Sequence, residues 1–171
     1  MYYSQIRNCD VSNGTGVRVS LFVSGCRHHC KNCFNKETWD FKFGQEFTQD
    51  TVDYIIELLK PSYISGLTLL GGDPMEPENQ RSILPLVKEV KTIYPTKDIW
   101  CYTGYAYETD VLHEMGAKYA ETLDLLKYID VLVDGEFKEH LKNPLLKFRG
   151  SSNQRLIDVK KSLENGETIL I

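Results

Sequence analysis

VRVSLFVSGCRHHCKNCFN, residues 17–35, is the stretch whose reading decides the fold. Residues 17–23 are a short run rich in Val and Leu, the composition of a β-strand. Cys26, Cys30 and Cys33 follow on a loop made polar by Arg27, His28, His29 and Lys31. Three thiols therefore gather just past the C-terminal end of a strand. In a parallel α/β protein the connecting loops converge at that end, and reactive sites form there.

Outward from this stretch, further strands are expected at 67–70, 98–103 and 129–133, each rich in Val, Ile, Leu, Tyr or Trp. Helical patterns separate them. Over 48–59, Val52, Ile55, Ile56 and Leu59 share one face, with Thr48 as N-cap and Pro61 just past the end. Over 78–94, Ile83, Leu84, Val87, Val90 and Ile93 do the same, and Pro85 should kink the helix or mark its start. Short helices are expected at 121–128 and 136–142, and a last strand at 168–171. The alternation of strands and helices places the chain in the α/β class, with βα units around a parallel sheet.

With 171 residues, 42% of them hydrophobic and 11% aromatic, the chain can bury the core of one domain spanning 1–171. A net charge of −4 argues against nucleic acid and anionic membrane as partners, since both select clustered positive charge. Apolar runs such as 19–23 fall well short of the roughly twenty residues that span a bilayer. The opening MYYSQIRNCD has no charged-then-apolar leader pattern, so a cytoplasmic location is expected, where thiols stay reduced. Five cysteines there need a chemical explanation. Cys101 lies in an expected strand and Cys9 stands apart, and both read as structural.

Three loop thiolates admit two readings. A cubane 4Fe-4S cluster normally takes four thiolates, and three would leave one iron open to an outside ligand. A zinc site would need a fourth donor from His28 or His29, and the spacing differs from the paired CxxC of common zinc modules. A non-enzymatic zinc-binding interaction module is thus the rival from outside enzymology.

The spacing CxxxCxxC at Cys26, Cys30 and Cys33 resembles the signature of radical S-adenosylmethionine (SAM) enzymes. Gly71, Gly72 and Asp73, following a strand, are similar to that superfamily's GGE element, with Asp as the acid. Within the superfamily the chain resembles the activating proteins of anaerobic (class III) ribonucleotide reductase. The matching segments are NGTGVR at 13–18, LFVSGC at 21–26, CFNKETW at 33–39, GGDP at 71–74, KDIW at 97–100, YTGY at 102–105, VDG at 133–135 and RGSSNQR at 149–155. Activases of other glycyl radical enzymes, such as pyruvate formate-lyase, share the cysteine loop, but the short chain and RGSSNQR argue against them.

The resemblance implies a 4Fe-4S cluster on Cys26, Cys30 and Cys33, with SAM on the open iron. Asn32, Cys33, Phe34, Gly71, Gly72 and Asp73 are its implied SAM contacts, although Phe34 alone reads equally well as a core aromatic. It also implies reductive cleavage of SAM, hydrogen abstraction from a glycine Cα of the reductase large subunit, and a flavodoxin-like electron donor. Because the chain is short for the superfamily, an incomplete TIM-like barrel is implied. Two positions depart from the family's pattern: Thr15 stands where Pro is common, and Asn32 where an aromatic or small residue is usual. Arg18 and Asp10 read as solvated charges or surface ion pairs ahead of the alternative that they help order the loop near the cluster, and His113 and His140 read as surface residues. Asp134 and Gly135 read as a turn or a ligand contact, and Arg149, Asn153, Gln154 and Arg155 as ligand donors or braces of the C-terminal loop.

Overall fold

The expected strand at 17–23 is β2 (Val17–Val23) in a computed structural model that describes residues 1–171. It lies within a sheet that also contains β1 (Tyr2–Asp10), β3 (Gln45–Glu46), β4 (Ile64–Gly71), β5 (Asp98–Tyr102), β6 (Val131–Asp134) and β7 (Arg155–Asp158). The seven strands run in the order β3-β1-β2-β4-β5-β6-β7. β2, β4, β5 and β6 are parallel to one another, whereas β1, β3 and β7 join antiparallel at the two sides. The sheet is open: β3 and β7 are its edges, and nothing closes it into a barrel.

Helices cover one face. α1 (Gln49–Leu59) follows Thr48 as expected, and the Thr48 backbone N–H donates to Thr51 Oγ1 at 3.2 Å, satisfying a group the helix start leaves free. α2 (Pro77–Ile93) starts on a proline, whose missing N–H would have had no helical partner there. Pro85 lies inside it rather than marking its start. Its side chain is exposed, so water can reach the carbonyl it leaves unpaired. The buried stripe of α2 is Ile83, Leu86, Val87 and Val90; Ile93, expected on it, is 46% exposed.

Alternation along the strands separates two packing layers. Val19, Leu21, Leu67, Leu69, Ile99, Cys101, Leu132 and Ile157 point to the helices and form the main core with Val52, Ile55, Leu59 and the α2 stripe. Trp100, Val131 and Val133 point the other way and pack with Tyr102, Phe148 and Leu156.

Several expected elements change. Residues 107–118 are a wide π-helical turn, Tyr107–Met115, running into α3 (Gly116–Lys118), and α4 (Ala120–Leu126) replaces the helix at 121–128. The helix at 136–142 shrinks to a single 3-10 turn, Glu139–Leu141, because no residue of it is buried. The tail holds α5 (Val159–Asn165), capped by Asp158 and ended by Gly166 at φ 70°. The strand expected at 168–171 is only an isolated bridge between Leu170 and Ile157.

Arg18 and Asp10 correct the surface reading. Arg18 is fully buried and uses its whole guanidinium: Nε on Thr68 Oγ1 (2.7 Å), Nη1 on Asp98 Oδ1 (2.6 Å) and the Thr15 carbonyl, Nη2 on the Leu67 and Asp98 carbonyls. Asp10 is buried and accepts from the Ser12 backbone and the Asn13 amide, shaping the turn between β1 and β2.

Candidate functional site

The C-terminal ends of β2, β4 and β5 open into a cavity of about 520 Å³. Cys26, Cys30 and Cys33 line it together with Asn32, Phe34, Gly71, Gly72 and Asp73, so every residue expected at the site borders one space. The far wall comes from the segment after β6, including Gly135, Phe137, Lys142, Phe148 and Arg149.

The cysteine loop and the Gly71-Gly72-Asp73 turn are fastened to each other through the backbone. Gly72 N–H donates to the Val23 carbonyl at 2.7 Å and Asp73 N–H to the Gly25 carbonyl at 2.8 Å. Gly25 N–H in turn donates to the Thr38 carbonyl at 2.7 Å. A Cβ on Gly72 would stand 2.6 Å from the Gly25 oxygen, so this approach is open to glycine alone. Within the loop, His29 and Asn32 adopt φ values of 50° and 60°, a sparsely populated conformation for residues with side chains.

Asp73 is 1% exposed and is the hub of the site. Its carboxylate accepts from Met75 N–H (2.8 Å), Thr103 Oγ1 (2.9 Å), Gly104 N–H (2.9 Å) and His28 Nε2 (3.0 Å). Burial alone would disfavour the charged imidazole, but the hydrogen bond and charge of Asp73 outweigh it and raise the His28 pKa. Tyr105 packs on the His28 ring at 4.3 Å, and the missing side chain of Gly104 leaves the ring room.

Glu76, fully buried, forms a second knot. It accepts from the Arg27 backbone N–H at 2.8 Å and from Tyr105 Oη at 3.1 Å, and it pairs with the Arg27 guanidinium. His28, Glu76, Thr103 and Tyr105 were not expected as parts of the site's frame. YTGY at 102–105 held the signal for the last two, and GGDPME at 71–76 for Glu76.

The donor set suits a cluster better than a single ion. No three His, Cys, Asp or Glu side chains converge closely enough to share one metal ion. Of the two histidines considered for zinc, His28 is held on Asp73, and the His29 ring stacks on Trp39 at 4.5 Å. A cubane takes each thiolate on a different iron, so its ligands line a space rather than meet at a point. Burial, aided by the Asp73 charge, pushes the Cys26 thiol up to about 12; burial and Glu136 push Cys30 up to about 11. A bound cation would offset such forces and hold both as thiolates.

Phe34 is 90% exposed, which overturns the core-aromatic alternative and leaves its ring free at the cavity mouth. Asp134 does not border the cavity. It is buried and accepts from Arg155 Nε (3.0 Å) and Tyr107 N–H (2.9 Å). Arg155 also reaches Glu108 at 2.7 Å, Arg149 Nη1 donates to the Gln154 carbonyl, and Gln154 and Asn153 donate to the Gly135 and Glu136 carbonyls. The RGSSNQR segment therefore braces the far wall.

A family model described as "4Fe-4S single cluster domain" matches residues 12–157. A protein of Enterobacteria phage T4 named anaerobic ribonucleoside-triphosphate reductase-activating protein is 47% identical over 156 residues, 91% of this chain and 93% of its own. The chain belongs to this family of activating proteins. Members of the same name from Vibrio cholerae serotype O1 and Escherichia coli K12 are 48% and 46% identical, each covering 90% of this chain and 96% of its own. The matched span covers the cysteine loop, the Asp73 hub and the bracing segment alike.

Proposed function

We propose that this chain, as one domain over 1–171, activates an anaerobic ribonucleotide reductase, its protein substrate. The observation that carries the reading is the shared cavity: three thiols and the Gly71-Gly72-Asp73 turn, tied backbone to backbone, border one space at the ends of parallel strands. Cys26, Cys30 and Cys33 would hold a 4Fe-4S cluster. Bound there, the cluster and SAM supply one-electron cleavage of the sulfonium and removal of a hydrogen atom from a glycine Cα of the reductase.

The chain's own part is placement. Asn32, Cys33, Phe34, Gly71, Gly72 and Asp73 would contact SAM, with the Phe34 ring free to cover the adenine and the glycine turn allowing close backbone approach. The hub bonds of the Asp73 carboxylate also hold the turn and His28 in register. The far wall from Gly135 to Gly150 limits water in the cavity and leaves the mouth as the entry for the glycine segment. The open sheet is consistent with an incomplete TIM-like barrel, whose uncovered side would admit a protein substrate. A flavodoxin-like protein in the cytoplasm would supply the electron.

The test is anaerobic reconstitution with iron and sulfide, chemical reduction with SAM, and assay of methionine and 5′-deoxyadenosine. Both products, dependent on each of the three cysteines, support the reading. Neither product from a protein with a reducible cluster, even with the reductase present, overturns it.

A further inference from the structure

Ten of the chain's 20 Lys and Arg residues make no ion pair. Six of these ten fall in two short segments, 26–37 and 136–150: Lys31, Lys36, Lys138, Lys142, Lys147 and Arg149. The two segments together hold seven Lys and Arg against three Glu, leaving thirteen Lys and Arg against twenty-one Asp and Glu elsewhere. They adjoin in space, since Cys30 touches Glu136 and Phe137 and both segments border the cavity. An acidic protein thus concentrates its free positive charge around the loop that carries the cluster ligands.

Within this group, Lys142 and Arg149 border the cavity, whereas Lys31, Lys36, Lys138 and Lys147 are exposed and stay outside it. The outer four offer exposed charge to a partner that docks on the loop without entering. Resting on the activase reading above, we propose that Lys31, Lys36, Lys138 and Lys147 form the docking face for an acidic one-electron carrier protein.

The carrier is oxidised by one electron and the cluster reduced by one; no bond or proton need move. Lys31 lies between Cys30 and Cys33, so a carrier held on it stands against the ligand loop. Flexible exposed lysines give fast, salt-sensitive and short-lived complexes, which suits a partner that must leave before the next turnover. Electron-transfer pairs of small, polar contact have this character. The reductase is a different occupant, because its glycine must pass into the cavity and meet the lining residues.

The test measures equilibrium binding of the cluster-loaded protein to an acidic flavodoxin by anaerobic titration calorimetry at several salt concentrations. Two double variants are compared with wild type: Lys31→Glu with Lys36→Glu, and Lys138→Glu with Lys147→Glu. The second pair lies outside the ligand loop's own sequence and guards against lost cluster. We expect binding that weakens with salt and is weakened about tenfold or more by either double variant. SAM cleavage driven by dithionite, which needs no docking face, should keep its wild-type rate. No binding by the wild type, affinity indifferent to salt, or unchanged affinity in the Lys138/Lys147 variant overturns the assignment. So does a variant that binds flavodoxin normally but loses the reductase, which would give the face to the substrate protein. Failure of dithionite-driven cleavage in wild type would instead strike the activase reading, independently of the binding result.

Discussion

The imidazole of His28 stands 3.0 Å from the carboxylate of Asp73 and joins the cysteine loop to the turn after β4. The bond uses Nε2, and a glutamine places its amide nitrogen near the same point. We expect His28→Gln to retain the thermal stability and iron content of wild type, and His28→Ala to lose part of both. Equal losses in the two variants would show that ring volume, not the hydrogen bond, holds the loop.

Asp73 accepts from two backbone N–H groups and the Thr103 hydroxyl while buried. Asp73→Asn exchanges one acceptor oxygen for an amide that faces donors. A cost of about 1–3 kcal/mol in urea unfolding is expected, the usual penalty for an unsatisfied buried group. Loss of SAM binding should accompany it, read by equilibrium dialysis.

Arg18→Met removes a buried cation and leaves the Asp98 carboxylate and three carbonyls short of donors. Breaking such a buried pair from one side costs about 3–5 kcal/mol. A surface ion pair would cost below about 1 kcal/mol, so the urea midpoint of this variant distinguishes the two environments.

The Arg155 hydrogen bond, with help from Thr168, holds the Glu108 pKa down to about 2 against an ordinary 4.5. A carboxylate depressed in the folded state contributes its full stabilisation above pH 4.5 and loses it as pH falls toward 2. Glu108→Gln should therefore flatten the decline in stability across that window while leaving the slope near neutrality unchanged. Glu108 is partly exposed, so solvent keeps the effect modest. Urea titrations at stepped pH measure it.

Cys30→Ala should fold with wild-type far-UV circular dichroism but retain little iron after reconstitution and cleave no SAM. Retained cleavage in a clean preparation would refute the ligand assignment.

The cysteine loop, the glycine turn and the four parallel strands could be read directly because each is a local pattern. Short spacing gathers the thiols, and continuous apolar runs mark buried strands. What escaped depends on distant partners. Arg18 looks like a surface charge until Thr15, Leu67, Thr68 and Asp98 are brought around it. The expected place of Asp73 at the cavity could be read locally, but its bonds to Thr103 and Gly104, thirty residues downstream, could not. β1, mostly half-buried or exposed along YYSQIRNCD, shows no clean alternation, and β7 spans only four residues. The π-helical turn has no periodic signature of its own.

β7 is the last strand added to the sheet, and its Arg155 and the preceding RGSSNQR residues hold the wall of the cavity from Gly135 to Gly150. During synthesis, all three cysteines leave the ribosome more than a hundred residues before Arg155 and the segment that braces the far wall of their cavity. The thiols of a nascent chain therefore lack this braced wall until synthesis is nearly finished. A truncation before Arg149, which removes the brace together with β7, should therefore lower the iron retained after reconstitution.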